Sequence, residues 1–370
     1  MTTSIIALVI AVLALVIASM TLTLTLKVHG RLTMRPILSQ GSSSFPPPDG
    51  QYVDTPPHRV PWVIYNPIKI ADKTAYKDFD DFCSQVSKAA LNAGYETPRF
   101  IATTEEETGS SQCKQALENN ASLIVCAGGD GTVRKVAGQI CHHKVPMSII
   151  PLGTGNLLAR NLGLPVDYPE QTLELCFTGT FRSIDLGLLR IDGSDMEEPF
   201  MVMSGLGFDG DLMAQTSSNL KDSIGHFAYF LAGIRSLHRP SMVAALRVGD
   251  AEREKNLRAR TLLFANCGEL TGGLPLLPNA DPADGWLDVT RIDVKAGLLG
   301  WTEVALNVIY RSTGLRSRLP MLSSTLTVTR ARTAEVTVDR PRRVQIDGDP
   351  VGEAQHLSVR IIPSAVTFRC

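Results

Sequence analysis

The chain has 370 residues, enough for two domains, with 36 Lys and Arg against 37 Asp and Glu and a formal net charge of −1. That balance, on an ordinary globular composition with 44% hydrophobic residues, gives no hint of a nucleic-acid binder. The seven cysteines (Cys83, Cys113, Cys126, Cys141, Cys176, Cys267 and Cys370) include no C-x-x-C pair and read as reduced, structural thiols in a cytosolic setting.

In chain order, residues 5–26 carry no charge and are rich in Ile, Leu, Val and Ala. As a helix they would span about 33 Å, enough to cross a bilayer core. A cleaved signal peptide is the competing reading, but no Lys or Arg precedes the run and no A-x-A site follows it. Lys27, Arg31 and Arg35 follow directly, so residues 1–28 are expected to be a single-pass transmembrane anchor with the remainder of the chain cytoplasmic. Residues 29–59, with Pro46-Pro47-Pro48 and a Gly-Ser run at 41–44, read as a semi-extended tether.

The spacing then predicts strands at 60–66, 98–102, 122–127 and 147–151. These alternate with helices at 77–93, 111–119, after Gly129, after Gly155 and at 169–177. Such βα alternation implies a parallel sheet, here over 60–180. From Phe181 the pattern is β-rich, with strands at 181–191, 200–204, 242–248, 261–266 and 286–292 and several more from Leu326. Helical pieces are expected at 209–217, 219–237 and 295–311. Residues 181–358 form a second unit, and a last strand within 359–370 is expected to return to the first.

Two loops carry the chemistry. After the apolar strand Leu123-Ile124-Val125-Cys126, the chain turns through Ala127-Gly128-Gly129-Asp130-Gly131-Thr132 into a helix. Glycines let a ligand approach the backbone, and the first amides of the helix are a seat for phosphate. Asp130 beside phosphate implies an intervening Mg2+. Alone, the loop reads equally as a plain βα turn. A second one, Leu152-Gly153-Thr154-Gly155-Asn156, follows the next strand, and the two would lie together at the carboxyl edge of the sheet. The G-x-x-x-x-G-K-[ST] loop is absent, which excludes the usual P-loop.

GGDGT followed by PLGTGN-LLARNLGLP resembles the diacylglycerol kinase catalytic-domain family, which includes bacterial soluble lipid kinases, sphingosine kinases and ceramide kinases. GGDGT by itself also occurs in NAD kinases; the pair of motifs is far more specific, and the likeness runs from about Val60 to the C-terminus. The resemblance implies an α/β nucleotide-binding domain of NAD kinase/diacylglycerol kinase type, mostly parallel, with a β-sandwich second domain, here behind the N-terminal transmembrane helix. It implies an ATP- and Mg2+-dependent kinase acting on a lipid hydroxyl, of diacylglycerol or a sphingoid or related lipid, with membrane and lipid as partners and no nucleic acid. A homodimer is compatible with it.

Carried onto this sequence, the resemblance assigns nucleotide contacts to Asn66, Thr103, Gly128, Gly129, Asp130, Gly131, Thr132, Gly153, Thr154, Gly155 and Asn156, with Thr104 an equal choice beside Thr103. Asp130 would organise the catalytic Mg2+. Asp281, Asp284 and the Trp286 carbonyl match a loop that holds a structural Mg2+, although the residues alone read as an Asp-Gly turn. Gly205-Leu206-Gly207-Phe208-Asp209 matches a turn in which Asp209 orders the cleft. Gln345-Ile346-Asp347-Gly348-Asp349 matches a D-G-E segment whose glutamate takes the proton from the lipid hydroxyl. Asp349 would be that base, one methylene shorter; as bare sequence the stretch is a hairpin turn.

Three departures stand out: Lys135 where the family commonly has an acid, Leu157 where it often has Asp, and Asp349 for Glu. The basic stretch Arg235, His238, Arg239, Arg247, Arg253, Lys255, Arg258 and Arg260 reads as a solvated face, and His142-His143 as a surface pair. The rival readings are an NAD kinase and a catalytically weak membrane-anchored lipid- or nucleotide-binding protein.

Overall fold

Alternation along the central strands decides the architecture. In β1 (Pro61–Tyr65), Trp62 and Ile64 face one way and Val63 the other; in β3 (Leu123–Gly128), Ile124 and Cys126 oppose Leu123, Val125 and Ala127. Both faces are apolar, so both must be covered by helices. On one side lie α3 (Ser110–Glu118) and α4 (Asp130–Ile140), through Cys113, Ala116, Val133, Val136 and Ile140. On the other lie α2 (Phe79–Asn92) and α6 (Pro169–Thr178), through Phe82, Val86, Leu173 and Phe177. Together with β2 (Arg99–Ala102) and β4 (Met147–Pro151), the strands run parallel in the order β4-β3-β1-β2.

The computed structural model describes residues 59–71, 75–141, 143–207, 241–270, 274–277, 279–294 and 324–370. The anchor at 5–26, nearly all of the tether, the helices expected at 209–217, 219–237 and 295–311, and Asp209, Arg235, His238, Arg239 and His142 lie outside the described residues. Among the described residues no helix is long and apolar enough to cross a membrane.

Beyond β4 the sheet turns antiparallel. Strand β16 (Asp349–Arg369) is 21 residues long; it pairs with β15 (Thr333–Ile346) and β5 (Phe181–Ile191), and its Phe368 lies parallel to Met147 of β4. Ser364, at φ 50, sits in the irregularity between Ile362 and Val366 where the strand changes partners. The remaining main strands are β6 (Glu197–Phe200), β7 (Met203–Leu206), β8 (Met242–Val248), β9 (Glu254–Ala259), β10 (Thr261–Ala265), β13 (Leu287–Val294) and β14 (Ser324–Ala331). They close a β-sandwich around Phe200, Leu206, Leu246, Phe264, Val336 and Leu357. The short pair β11 (Glu269–Leu270) and β12 (Leu274–Pro275) stands apart. Hydrogen bonding is continuous through one mixed 14-stranded sheet.

One local expectation is corrected. The single strand expected at 200–204 is two, β6 and β7, because the amides between them turn inward to a buried carboxylate described below. Part of the basic stretch read as a solvated face is the strand β9, paired with β8, and its Lys255 and Arg258 are exposed as expected. After Asn66 the chain forms a short helix, α1 (Pro67–Ala71), with proline at its first position. All seven cysteines are free thiols.

Candidate active site

The four parallel strands end at one edge, and the loop after each contributes. Asn66, after β1, donates its amide to the Ala127 carbonyl (2.9 Å), and its Oδ1 accepts from Ile68 and Lys69 N–H, so the side chain caps α1. Thr103, after β2, is buried and donates its N–H to Tyr65 O at 2.8 Å. Thr104 instead spends its hydroxyl on Glu107 N–H within its own turn. Buried Gln112 fastens that turn to β2 through the carbonyls of Ala102 and Glu107.

The glycine loops after β3 and β4 touch. Leu152 N–H donates to Gly128 O at 3.0 Å. A Cβ placed on Gly153 would lie 2.8 Å from the Gly129 Cα, and one on Gly155 would lie 2.9 Å from Asp130 Oδ2. The glycines are there because the backbones meet. Asn156 holds the left-handed φ of 47° and donates to Gly153 O at 2.9 Å, opening the helix α5 (Leu157–Asn161). Asp130 joins the two loops: it starts α4, and its Oδ1 accepts from Leu157 N–H at 2.6 Å. Leu157 therefore meets Asp130 through its backbone. The Asp130 pKa is raised to about 6, chiefly by burial and next by Asp347, with Asp349 adding; the amides of Leu157 and Leu158 oppose this.

The third component is the β15–β16 hairpin. Asp347 (φ 49) and Gly348 (φ 92) make its two-residue turn, closed by the pair Ile346–Asp349. The fully buried Asp347 carboxylate accepts from the amides of Met201, Val202 and Met203 at 2.9, 2.8 and 2.9 Å. Burial pushes its pKa up; Arg134 and the three amides pull it back. Asp349 is half exposed, and its Oδ2 lies 3.4 Å from the position a Cβ on Gly131 would take. Arg134, buried in α4, donates to Ile346 O (2.8 Å) and Asp349 Oδ2 (3.3 Å). Three carboxylates thus stand around the first turn of α4 against one guanidinium. That excess of negative charge adds to burial in holding the Asp130 carboxyl above its usual range.

The remaining residues expected in sites lie elsewhere. Asp281 pairs with Arg182 at 3.3 Å and accepts from Ala283 N–H; Asp284 accepts from Trp286 N–H and pairs with Arg330. The carboxylate at the heart of that loop is Asp185, whose two oxygens accept from Gly285 N–H (2.6 Å) and Ser364 N–H (2.7 Å). Among the described residues no group of three or more His, Cys, Asp or Glu forms a metal-holding set. Lys135 points to Glu198 on β6, at 2.7 Å, so its reversed charge is neutralised there.

Sequence reasoning missed Asp347, Arg134, Asp185 and Gln112. Two carried a signal: Arg134 lies four residues after Asp130 and so on the same helix face, and Asp185 interrupts the apolar strand Ile184–Leu186.

Residues 61–189 match the family model described as the diacylglycerol kinase catalytic domain, and residues 202–370 match the YegS C-terminal NAD kinase beta sandwich-like domain. A Stenotrophomonas maltophilia protein named "Probable lipid kinase YegS-like" is 31% identical over 273 residues, covering 71% of this chain and 84% of the relative. A Bacillus subtilis diacylglycerol kinase is 28% identical, covering 78% and 88%. A Bacillus anthracis diacylglycerol kinase structure shares the fold, with TM-score 0.62 and 20% identity over 84% of this chain and 96% of that one. The chain belongs to the diacylglycerol kinase catalytic-domain family and is a lipid kinase.

Proposed function

We propose that this kinase transfers the γ-phosphoryl group of ATP, with Mg2+, to a hydroxyl of diacylglycerol or a sphingoid or related lipid. The observation that supports this most is the seam between the glycine loops, with Gly153 against Gly129 and Asp130 reaching Leu157, and with Asp349 beside Gly131. The backbones at 128–132 and 153–156 would cradle the phosphates, while the strand ends at Asn66 and Thr103 would bound the nucleoside side. Asp349 would accept the proton of the lipid hydroxyl as its oxygen attacks the γ-phosphorus and the β–γ bridging P–O bond breaks. Asp130 would hold Mg2+, which when bound neutralises charge on the phosphate oxygens. The loop of Asp281, Asp284 and Trp286 is proposed as a second Mg2+ site, which requires Asp284 to exchange its contact with Arg330.

The unit 60–180 would bind nucleotide and 181–358 the lipid, with Asp209 ordering the cleft between them. We also place residues 5–26 across a membrane, with the catalytic part on the cytoplasmic side; deletion of 1–28 should then move the protein from the membrane to the supernatant fraction. A homodimer is a further proposal, tested by light scattering. Transfer from γ-labelled ATP to lipid extract in vesicles tests the reaction, and mass spectrometry of the product names the lipid. No labelled lipid with wild-type protein, or unchanged labelling by Asp130→Asn, rejects this reading. Label appearing on NAD rather than lipid would favour the NAD kinase alternative.

A further inference from the structure

We propose that Arg134 is the positioning residue for Asp349, clamping the β15–β16 hairpin so that a carboxylate one methylene short of the family's glutamate lies over the phosphate loop. This rests on the reading of Asp349 as the acceptor's base. Arg134 is 7% exposed, and a buried guanidinium is costly unless each contact is specific. Its contacts are specific: Nη1 takes Ile346 O and Nη2 takes Asp349 Oδ2, the two residues that close the hairpin turn. One side chain therefore fixes both the backbone before the turn and the carboxylate after it.

Asp349 needs such a clamp. Its side chain is 55% exposed, and free rotation about its two torsions would swing it into solvent. Arg134 lies on the helix that Asp130 opens, so the carboxylate is referenced to the element that carries the glycine loop, 215 residues away in sequence. A displacement of about 1 Å at such a point costs roughly 100-fold in rate.

The competing role is a mere counter-charge to buried Asp347, and a double-mutant cycle separates the two. Arg134→Gln, Asp349→Asn and the double variant are assayed for kcat and ATP KM with lipid vesicles, and melting is recorded. Asp349→Asn is expected to lose about 100-fold or more in kcat. Arg134→Gln should lose about 10- to 100-fold with ATP KM within about twofold, and nothing beyond about threefold when Asn already occupies 349.

Asp349→Asn at the wild-type rate would reject the base assignment, and this inference with it. An inactive Asp349→Asn with a fully active Arg134→Gln, or with losses that multiply in the double variant, would overturn the role of Arg134 alone. Arg134→Lys keeps the charge that Asp347 faces and carries the same cycle if the glutamine variant does not fold. It should lose about fivefold or more with Asp349 present, because an ammonium lacks the planar two-point fork, and a wild-type rate would overturn the proposal.

Discussion

Gly153→Ala tests the seam between the two loops. The added Cβ would lie 2.8 Å from the Gly129 Cα and 2.9 Å from Asn156 Oδ1. Carbon atoms rest about 3.5–4.0 Å apart, so the loops must separate by about 0.7 Å or more. Neither neighbour is the end of a flexible chain: one is backbone, and the other caps Gly153 O through its own amide group. Overpacking of this kind costs about 1–3 kcal/mol in stability. If the two loops cradle the phosphates as proposed, a shift approaching 1 Å between them should cost about 10- to 100-fold in kcat/KM for ATP. Lipid phosphorylation at varied ATP, beside a thermal melt, reads both effects. Gly163→Ala is the control: its φ of +76° is strained for alanine, but nothing lies within 4 Å of the new Cβ. It should lose about 1 kcal/mol with kcat unchanged. If Gly153→Ala keeps its kcat/KM for ATP within twofold, the loops do not act as one cradle.

Asp130→Asn should inactivate the enzyme yet raise the melting temperature of the nucleotide- and metal-free protein above about pH 6. The folded pKa of about 6 exceeds the ordinary aspartate value of 3.8, so the fold binds the extra proton and stability falls as pH rises between those values. The full penalty above pH 6 is about 3 kcal/mol, which asparagine removes while keeping an oxygen for Leu157 N–H. A lower melting temperature for the variant at pH 7.5 would contradict this. Lys135→Ala should leave kcat within twofold and cost under about 1 kcal/mol, because it removes a partly exposed pair with Glu198; a large drop in kcat would return Lys135 to the phosphate site. Asp185→Ala orphans the amides of Gly285 and Ser364 and should cost about 2–4 kcal/mol, read by urea denaturation. An unchanged midpoint would mean that water replaces the carboxylate without penalty.

The parallel half of the fold was legible because its signals are local: two-sided apolar strands, helical periodicity, and glycine where loops approach each other. The meeting of the two glycine loops was legible for the same reason. What escaped was set by residues distant in sequence. The chain breaks between Phe200 and Met203 because three amides turn toward Asp347, about 145 positions later, and no neighbour of Phe200 announces it. Strand β9 reads as Glu-Lys-Asn-Leu-Arg-Ala, with only Leu257 and Ala259 buried, so its charges masked a strand paired on one side. Asp349 closes the hairpin turn that the bare sequence suggests, and the fold sets that turn beside the glycine loop.

Hydrogen–deuterium exchange with and without a non-hydrolysable ATP analogue and Mg2+ tests the shared cradle most directly. Peptides spanning 127–133 and 152–157 should gain protection together, at one nucleotide concentration, with the Asp349 hairpin following only when lipid is added. Protection of one loop alone, or of neither at saturating nucleotide, would contradict the account.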